Sequence, residues 1–436
     1  MKTGPFDTEG FSFARNPMAG PFMMTCNCHA NVIIGRDEFH GIGGWTAPTS
    51  EVELARMETV FALCATLLIG FNLLGIVLAG WRLMRRDADN DLVRQRPPVS
   101  VVVPLRGVET FTPLTLARAF ELDWPDYELL FCVADQDDSV IDEVHRAEAA
   151  HPMIPTQLLT GDDRISANPK LNNCVKGWRA ARHDWVILAD SNVLMPTSYI
   201  KTMMSAWQSD SGLVCSPPLG SRPIGFWAHV ECAFLNGSQG RWQYAAEAIG
   251  IGFAQGKSML WNKPLLEDHG GIRALAAEIA EDAASTKLVR NAGLKVHLVS
   301  TPFEQPLGRR HAGEIWSRQA RWARLRRVTF PHYFAPEILT GALPPLLFAV
   351  AAAAMMEMSL VATAFAVLAL MYVPELALAA LNRWPISFHT LPAMIARDMV
   401  MPLVWARSWI GTAVAWRGNV MTIGTAESTL AGPHAE

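Results

Sequence analysis

Residues 60–81 (VFALCATLLIGFNLLGIVLAGW) form an apolar run without a single charge. Twenty-two residues rising about 1.5 Å each span about 30 Å of hydrocarbon, so the run predicts a membrane helix. Arg82, Arg85 and Arg86 follow at once, then Arg94 and Arg96, with no cleavage site, which argues against a signal peptide. A basic flank of this kind places the next block in the cytoplasm. Near the other end, residues 338–356 predict a second span. Residues 358–381 predict a third, interrupted by Pro374 and Glu375. Seven arginines between 309 and 327 precede the second span and give the same orientation. The stretch 391–416 sets Arg397, Asp398 and Arg407 among Trp405, Trp409 and Trp416. Charge at mid-bilayer is costly, so an interfacial or re-entrant helix fits this stretch as well as a span.

Between the apolar ends the period changes. VSVVVPL (99–105) is a nearly continuous β-branched run, as in a buried parallel strand. A helix over 112–124, a strand over 127–134 and a helix over 138–151 follow. A short strand at 156–161, a helix at 172–181 and a strand at 184–190 complete the alternation. The fold class is therefore α/β, a mostly parallel sheet between helical layers. The expected organisation is an arm at 1–56, a membrane helix at 57–86, a cytoplasmic domain at 97–330 and a membrane region at 337–425. The arm is Gly-rich and weakly patterned. It reads either as a short unstructured segment or as sequence ahead of a translation start at Met57.

Composition narrows the function. The chain has 436 residues, is 50% hydrophobic and carries a net charge of −4. That balance gives no support to nucleic-acid binding. The seven cysteines show neither zinc spacing nor a disulfide framework, as suits a reducing compartment. No G-x-G-x-x-G follows the first strand, GIGGW (41–45) lies before the first span, and no G-K-[ST] loop is present. Dinucleotide oxidoreductases and Walker-type hydrolases are disfavoured.

Ligands in open α/β sheets bind at the carboxyl ends of strands, where Asp135, Asp137, Asp138 and Asp190 fall. Asp190 and Asn192 offer a hard divalent cation one charged and one neutral oxygen, to be shared with a diphosphate. An Asx-turn explains the same tripeptide. Asp135 can accept hydrogen bonds from a base or ribose, or sit in a solvated turn. Lys170 in NPKLNN (168–173) can reach a phosphate or be an ordinary loop lysine. Asp282 can serve as a general base. Glu278, Glu281 and Asp282 also suit the start of one helical segment, which explains them equally well. His229 and Glu231 are two apart and can share a strand face. His229 then meets an acceptor hydroxyl or is simply a buried histidine. In RQARW (318–322), Arg318, Arg321 and Trp322 fall on one helical face; arginine forks suit phosphate, while a positive flank with an interfacial Trp is the alternative.

Four motifs in order carry a resemblance: FCVADQDD (131–138), VILADSN (186–192), AEIAEDAAS (277–285) and RQARW. Over about 60 to 420 the chain resembles the ceramide glucosyltransferase family, inverting glycosyltransferases of GT-A fold. The resemblance implies that Asp135, Asp190 and Asp282 are the family's three aspartates, with Asp282 the catalytic base. Arg318, Arg321 and Trp322 match its last motif, and His229 a family histidine of the donor or acceptor site. It implies a UDP-sugar donor, Mg²⁺ or Mn²⁺, a ceramide or hopanoid acceptor, and an integral membrane protein. The Ala- and Arg-rich composition points to a bacterial inner membrane. DSN departs from the wider D-x-D pattern, leaving the metal one carboxylate. A processive polysaccharide synthase shares the motif order but needs more spans. A membrane scaffold has no need of the motifs.

Overall fold

The computed structural model describes residues 51–85, 90–411, 413–416 and 419–422. Nearly all of the N-terminal arm, with Cys26, Cys28 and GIGGW, lies outside the described residues.

The β-branched run at 99–105 becomes β1 (Val99–Leu105), with almost every residue buried, as expected of a strand covered on both faces. Along the chain follow β2 (Tyr127–Val133), β3 (Thr156–Thr160), β4 (Trp185–Ala189), β5 (Ser211–Cys215), β6 (Pro218–Ile224), β7 (Ser258–Asn262), β8 (Lys295–Leu298) and β9 (Phe303–Arg309). Seven of them form one sheet in the order β3-β2-β1-β4-β7-β5-β8. Neighbours are parallel except β7, which runs antiparallel to both β4 and β5. Alternate residues of β1 enter different cores. Val102 packs with Trp178 and Trp261 on one face, and Val101 and Val103 pack with Phe120 and Phe131 on the other. Helices Val140–Ala150 and Pro169–Ala180 lie near their expected bounds, whereas the helix expected over 112–124 ends at Ala119. β6 and β9 pair in parallel as a separate ribbon that leads into helix Ala312–Thr329.

Two described helices, Leu54–Met84 within Glu51–Met84 and Leu360–Leu381, are long and apolar enough to cross a membrane. Their large exposed side chains, Leu67, Val77, Phe365 and Val373 among them, are the surface a bilayer would cover. Four expectations change here. Residues 338–356 are not one helix: the short helical stretch Pro331–Leu339 and helix Leu343–Met355 meet at a bend of 43° across the break at Gly341. The 358–381 segment is not interrupted, since Leu360–Leu381 runs through Pro374. His229 and Glu231 lie on helix Phe226–Cys232, not on a strand, and Glu278 lies ahead of helix Glu281–Asn291, which holds Glu281 and Asp282 in its first turn.

Two of the three charges of 391–416 are turned inward, and Arg407 is exposed. Helix Thr390–Ser408 buries Arg397 and Asp398, and Arg397 pairs with both Asp398 (2.8 Å) and Glu375. Asp398 also accepts from Ala342 N (2.9 Å) and Tyr372 OH (3.1 Å). Arg241 lies 3.8 Å from Glu375 and donates to Asn72 of the first helix at 2.6 Å. A side chain at Gly237 would collide with the Glu375 carboxylate, so the π-helical segment Ala233–Gly240 needs glycine there. Arg82, in the last turn of the first helix, pairs with buried Glu247 and donates to Leu298 O, tying that helix to the edge of the sheet.

Candidate active site

The loops after β1, β2 and β4 open at one edge of the sheet. Asp138 closes the first two together: Gly107 N donates to both of its oxygens at 2.9 Å, and Val140 N to Oδ1 at 2.9 Å. Asp135 is exposed in the same turn, with Oδ1 accepting from Asp137 N at 3.0 Å. Asn173 donates to the carbonyls of Leu105 and Cys132, pinning the ends of β1 and β2 against helix Pro169–Ala180.

Asp190 follows β4 directly. Because β7 runs antiparallel beside β4 with Ala189 opposite Ser258, Asp190 faces Lys257, and Asp190 N donates to Lys257 O at 2.9 Å. Lys257 Nζ lies 2.7 Å from Asp190 Oδ2 and 3.2 Å from Asn192 Oδ1. Lys170 Nζ lies 2.6 Å from Asp190 Oδ1, 2.6 Å from Glu281 Oε1, and also meets Gly256 O. Asn168 caps helix Pro169–Ala180 through its side-chain oxygen and donates to Glu281 Oε2 at 2.6 Å. Asp282 Oδ2 accepts from Gly256 N at 3.2 Å and Oδ1 from Ala283 N at 2.8 Å. A Cβ on Gly256 would come within 2.6 Å of Glu281 Oε1 and 2.9 Å of Lys170 Nζ, so only glycine lets this backbone enter the cluster.

The charges set each other's protonation. Burial would raise the Asp190 carboxyl, but Lys170 and then Lys257 outweigh it and hold the pKa at about 2. Burial would lower Lys170, and Asp190 and Glu281 reverse that and raise it. Asp282 goes the other way. Burial first, then the neighbouring Glu281, push it up to about 6, against Lys170 and two backbone N–H donors. One carboxylate is thus firmly ionised and another is poised near neutrality, as a general base requires.

Among the described residues, no group of three or more His, Cys, Asp and Glu can hold a metal ion. A diphosphate-bound Mg²⁺ needs only one or two protein oxygens. Asp190 Oδ2 and Asn192 Oδ1 converge on one point, and the Lys257 ammonium marks it as a cation position. The donor set therefore fits a hard divalent cation that shares the diphosphate.

The last motif makes a second set of contacts. Arg318 projects from helix Ala312–Thr329 onto Glu231, which is fully buried, and Arg310 approaches the same carboxylate at 3.6 Å. Trp322 packs against Cys232, Leu235 and Leu307. Arg321 lies on the same helix, half-buried. His229 meets Gly225 O at 3.0 Å and the ring of His389 at 4.6 Å, not the carboxylate cluster. The structure thus gathers Lys170, Asp190, Asn192 and Asp282 at one place, while the contacts of Arg318, Trp322 and His229 are with Glu231, with Cys232, Leu235 and Leu307, and with Gly225 and His389. Lys257, Glu281, Asn168 and Gly256 were not singled out by sequence as site-forming. The one available signal was a lysine at the mouth of an apolar strand, GKSMLW (256–261).

A mostly parallel α/β sheet with carboxylates at its strand ends is joined here to helices long and apolar enough to cross a membrane. Residues 67–429 match Glycosyl transferase family 21, and the chain belongs to that family. It is 24% identical to Ceramide glucosyltransferase 3 of Caenorhabditis elegans over 376 residues, 84% of this chain and 80% of the relative. It is 28% identical to Ceramide glucosyltransferase 1 of the same organism over 245 residues, which is 56% of this chain and 53% of the relative. Among solved structures, Mannosyltransferase PcManGT from Pyrobaculum calidifontis in complex with GDP-Man and Mn²⁺ superposes with a TM-score of 0.47 at 18% identity. That match covers 80% of this chain and 98% of the other.

Proposed function

We propose that this glycosyltransferase moves one sugar, glucose first among candidates, from a UDP-sugar to the primary hydroxyl of ceramide, with inversion. A hopanoid or related lipid alcohol is the alternative acceptor. The observation that carries the reading is the Lys170–Asp190–Glu281–Asp282 cluster at the strand ends, in a chain similar to ceramide glucosyltransferases. We infer an integral membrane protein of the bacterial inner membrane with the catalytic domain in the cytoplasm, from the arginine flanks.

Asp135 holds the uridine part of the donor. Asp190 and Asn192 hold Mg²⁺ or Mn²⁺, which supplies positive charge against the leaving diphosphate. Lys170, fixed by two carboxylates, keeps Asp190 ionised and in place. Asp282 takes the acceptor proton as the hydroxyl attacks the anomeric carbon from the face opposite UDP, so an α-linked donor gives a β-glycoside. Arg318, held by buried Glu231, and Arg321 stabilise the departing UDP. Trp322 and His229 line the acceptor side, next to the membrane helices.

Mass spectrometry of lipids made by the purified protein from ceramide, a hopanoid and a panel of UDP-sugars tests this directly. A single hexose on ceramide supports the reading. Transfer only to the hopanoid keeps the chemistry and overturns the acceptor, and a growing polymer overturns single transfer. Asp190→Ala is expected to abolish metal-dependent UDP binding, read by calorimetry. Equal UDP affinity with and without metal in the wild type would remove the metal role. Turnover should also fall about tenfold per pH unit below about 6, because Asp282 must be ionised to accept a proton. A profile flat down to pH 5 would exclude it as the base.

A further inference from the structure

The turn after β4 offers one carboxylate and one amide, Asp190 and Asn192, and it offers a second ammonium instead of a second carboxylate. Lys170 is committed: its three contacts are Asp190 Oδ1, Glu281 Oε1 and Gly256 O, which use all three N–H donors. Lys257 is placed differently. Two of its donors meet Asp190 Oδ2 and Asn192 Oδ1, at 2.7 and 3.2 Å, so a third N–H is available to a ligand. Its side chain retains only 17% exposure, at the rim of the strand ends. It sits in the turn directly ahead of β7, and the antiparallel pairing of β7 with β4 brings it beside Asp190.

We propose that Lys257 is a donor-positioning residue, a built-in cation that occupies the Asp190–Asn192 point and turns its third N–H to an oxygen of the donor diphosphate. The role rests on the sugar-nucleotide reading above. An ammonium already desolvated beside Asp190 loses little further hydration on meeting phosphate, so the contact is favourable in a partly buried site. Two consequences follow with opposite signs. The nucleotide keeps a component of affinity that needs no metal. A divalent ion must displace Lys257 from the same two oxygens, so the lysine weakens metal binding.

The opposed signs make the test sharp. UDP is titrated by calorimetry into the full-length protein in detergent, in EDTA and in Mn²⁺. Free Mn²⁺ is counted separately by electron paramagnetic resonance without nucleotide. Wild type is expected to bind UDP in EDTA. Lys257→Met should bind it about tenfold more weakly there, close to wild type in saturating Mn²⁺, and should bind Mn²⁺ itself more tightly. Lys257→Arg should restore the EDTA affinity, which separates charge from folding. UDP binding in EDTA that Lys257→Met leaves unchanged, or weaker Mn²⁺ binding by that variant, overturns the role of Lys257 alone. Wild-type UDP binding that appears only with Mn²⁺ does the same. No UDP binding under any condition overturns the sugar-nucleotide reading itself, and this role with it.

Discussion

Asp282→Asn is expected to bind the UDP-sugar as wild type does and to lose transfer by about 10²- to 10⁴-fold, the usual contribution of a positioned base. The amide keeps the shape of the side chain and can still accept from Gly256 N, so the cluster around Lys170 stays built. What disappears is the one carboxylate whose affinity for a proton lies near neutrality. Burial and Glu281 create that property together. The same property has a sign in stability. The Asp282 carboxyl rises from 3.8 to about 6 in the folded protein, so the folded state binds its proton more tightly than the unfolded chain. Stability is lost as pH climbs between those values, and the cost is present at pH 7. Asp282→Asn should therefore melt no lower than wild type at pH 7, while being inactive. A variant that kept wild-type turnover, or that melted well below wild type, would show Asp282 to be structural.

The second large effect is in stability. Arg397→Met is expected to cost about 3–5 kcal/mol, because it removes the direct partner of buried Glu375 and Asp398 and leaves Glu375 with Arg241 at 3.8 Å. The helices concerned hold the apolar region together: Arg397 from Thr390–Ser408, Glu375 from Leu360–Leu381, Arg241 beside the π-helical segment and Asn72 from the first helix. Thermal unfolding in detergent should drop sharply. Changing Glu375 to Leu in the same protein should recover part of the loss, since a well-packed apolar pair often replaces a buried ion pair at little cost. Asp398 retains donors from Ala342 N and Tyr372 OH in that double variant. Equal melting of wild type and Arg397→Met would mean that the network contributes specificity of packing and no net stability.

Much was legible from local pattern, since the strand at 99–105, the helix–strand alternation to 190 and the long apolar helices follow from periodicity and length alone. Asp190 and Asp282 were legible too, as carboxylates at a strand end and a helix start. Their partners were not. Lys257 lies 67 residues beyond Asp190, and only the reversal of β7 within an otherwise parallel sheet sets them side by side. Strand direction leaves no trace in the apolar pattern SMLW, which reads the same either way. Glu231 looked like one face of a strand, yet it sits on a helix and receives Arg318 from a helix that begins 81 residues later. The charges at 397 and 398 counted locally against a membrane span; Glu375 and Tyr372 from another helix supply their partners. Sequence by itself marked the first strands and the long apolar helices and nominated the residues for the chemistry, because such signals depend on neighbours a few residues apart. Only tertiary structure decided which carboxylate stays ionised and which is held near neutrality. A pKa is set by burial and by charges brought close across the fold, and no spacing along the chain records that distance.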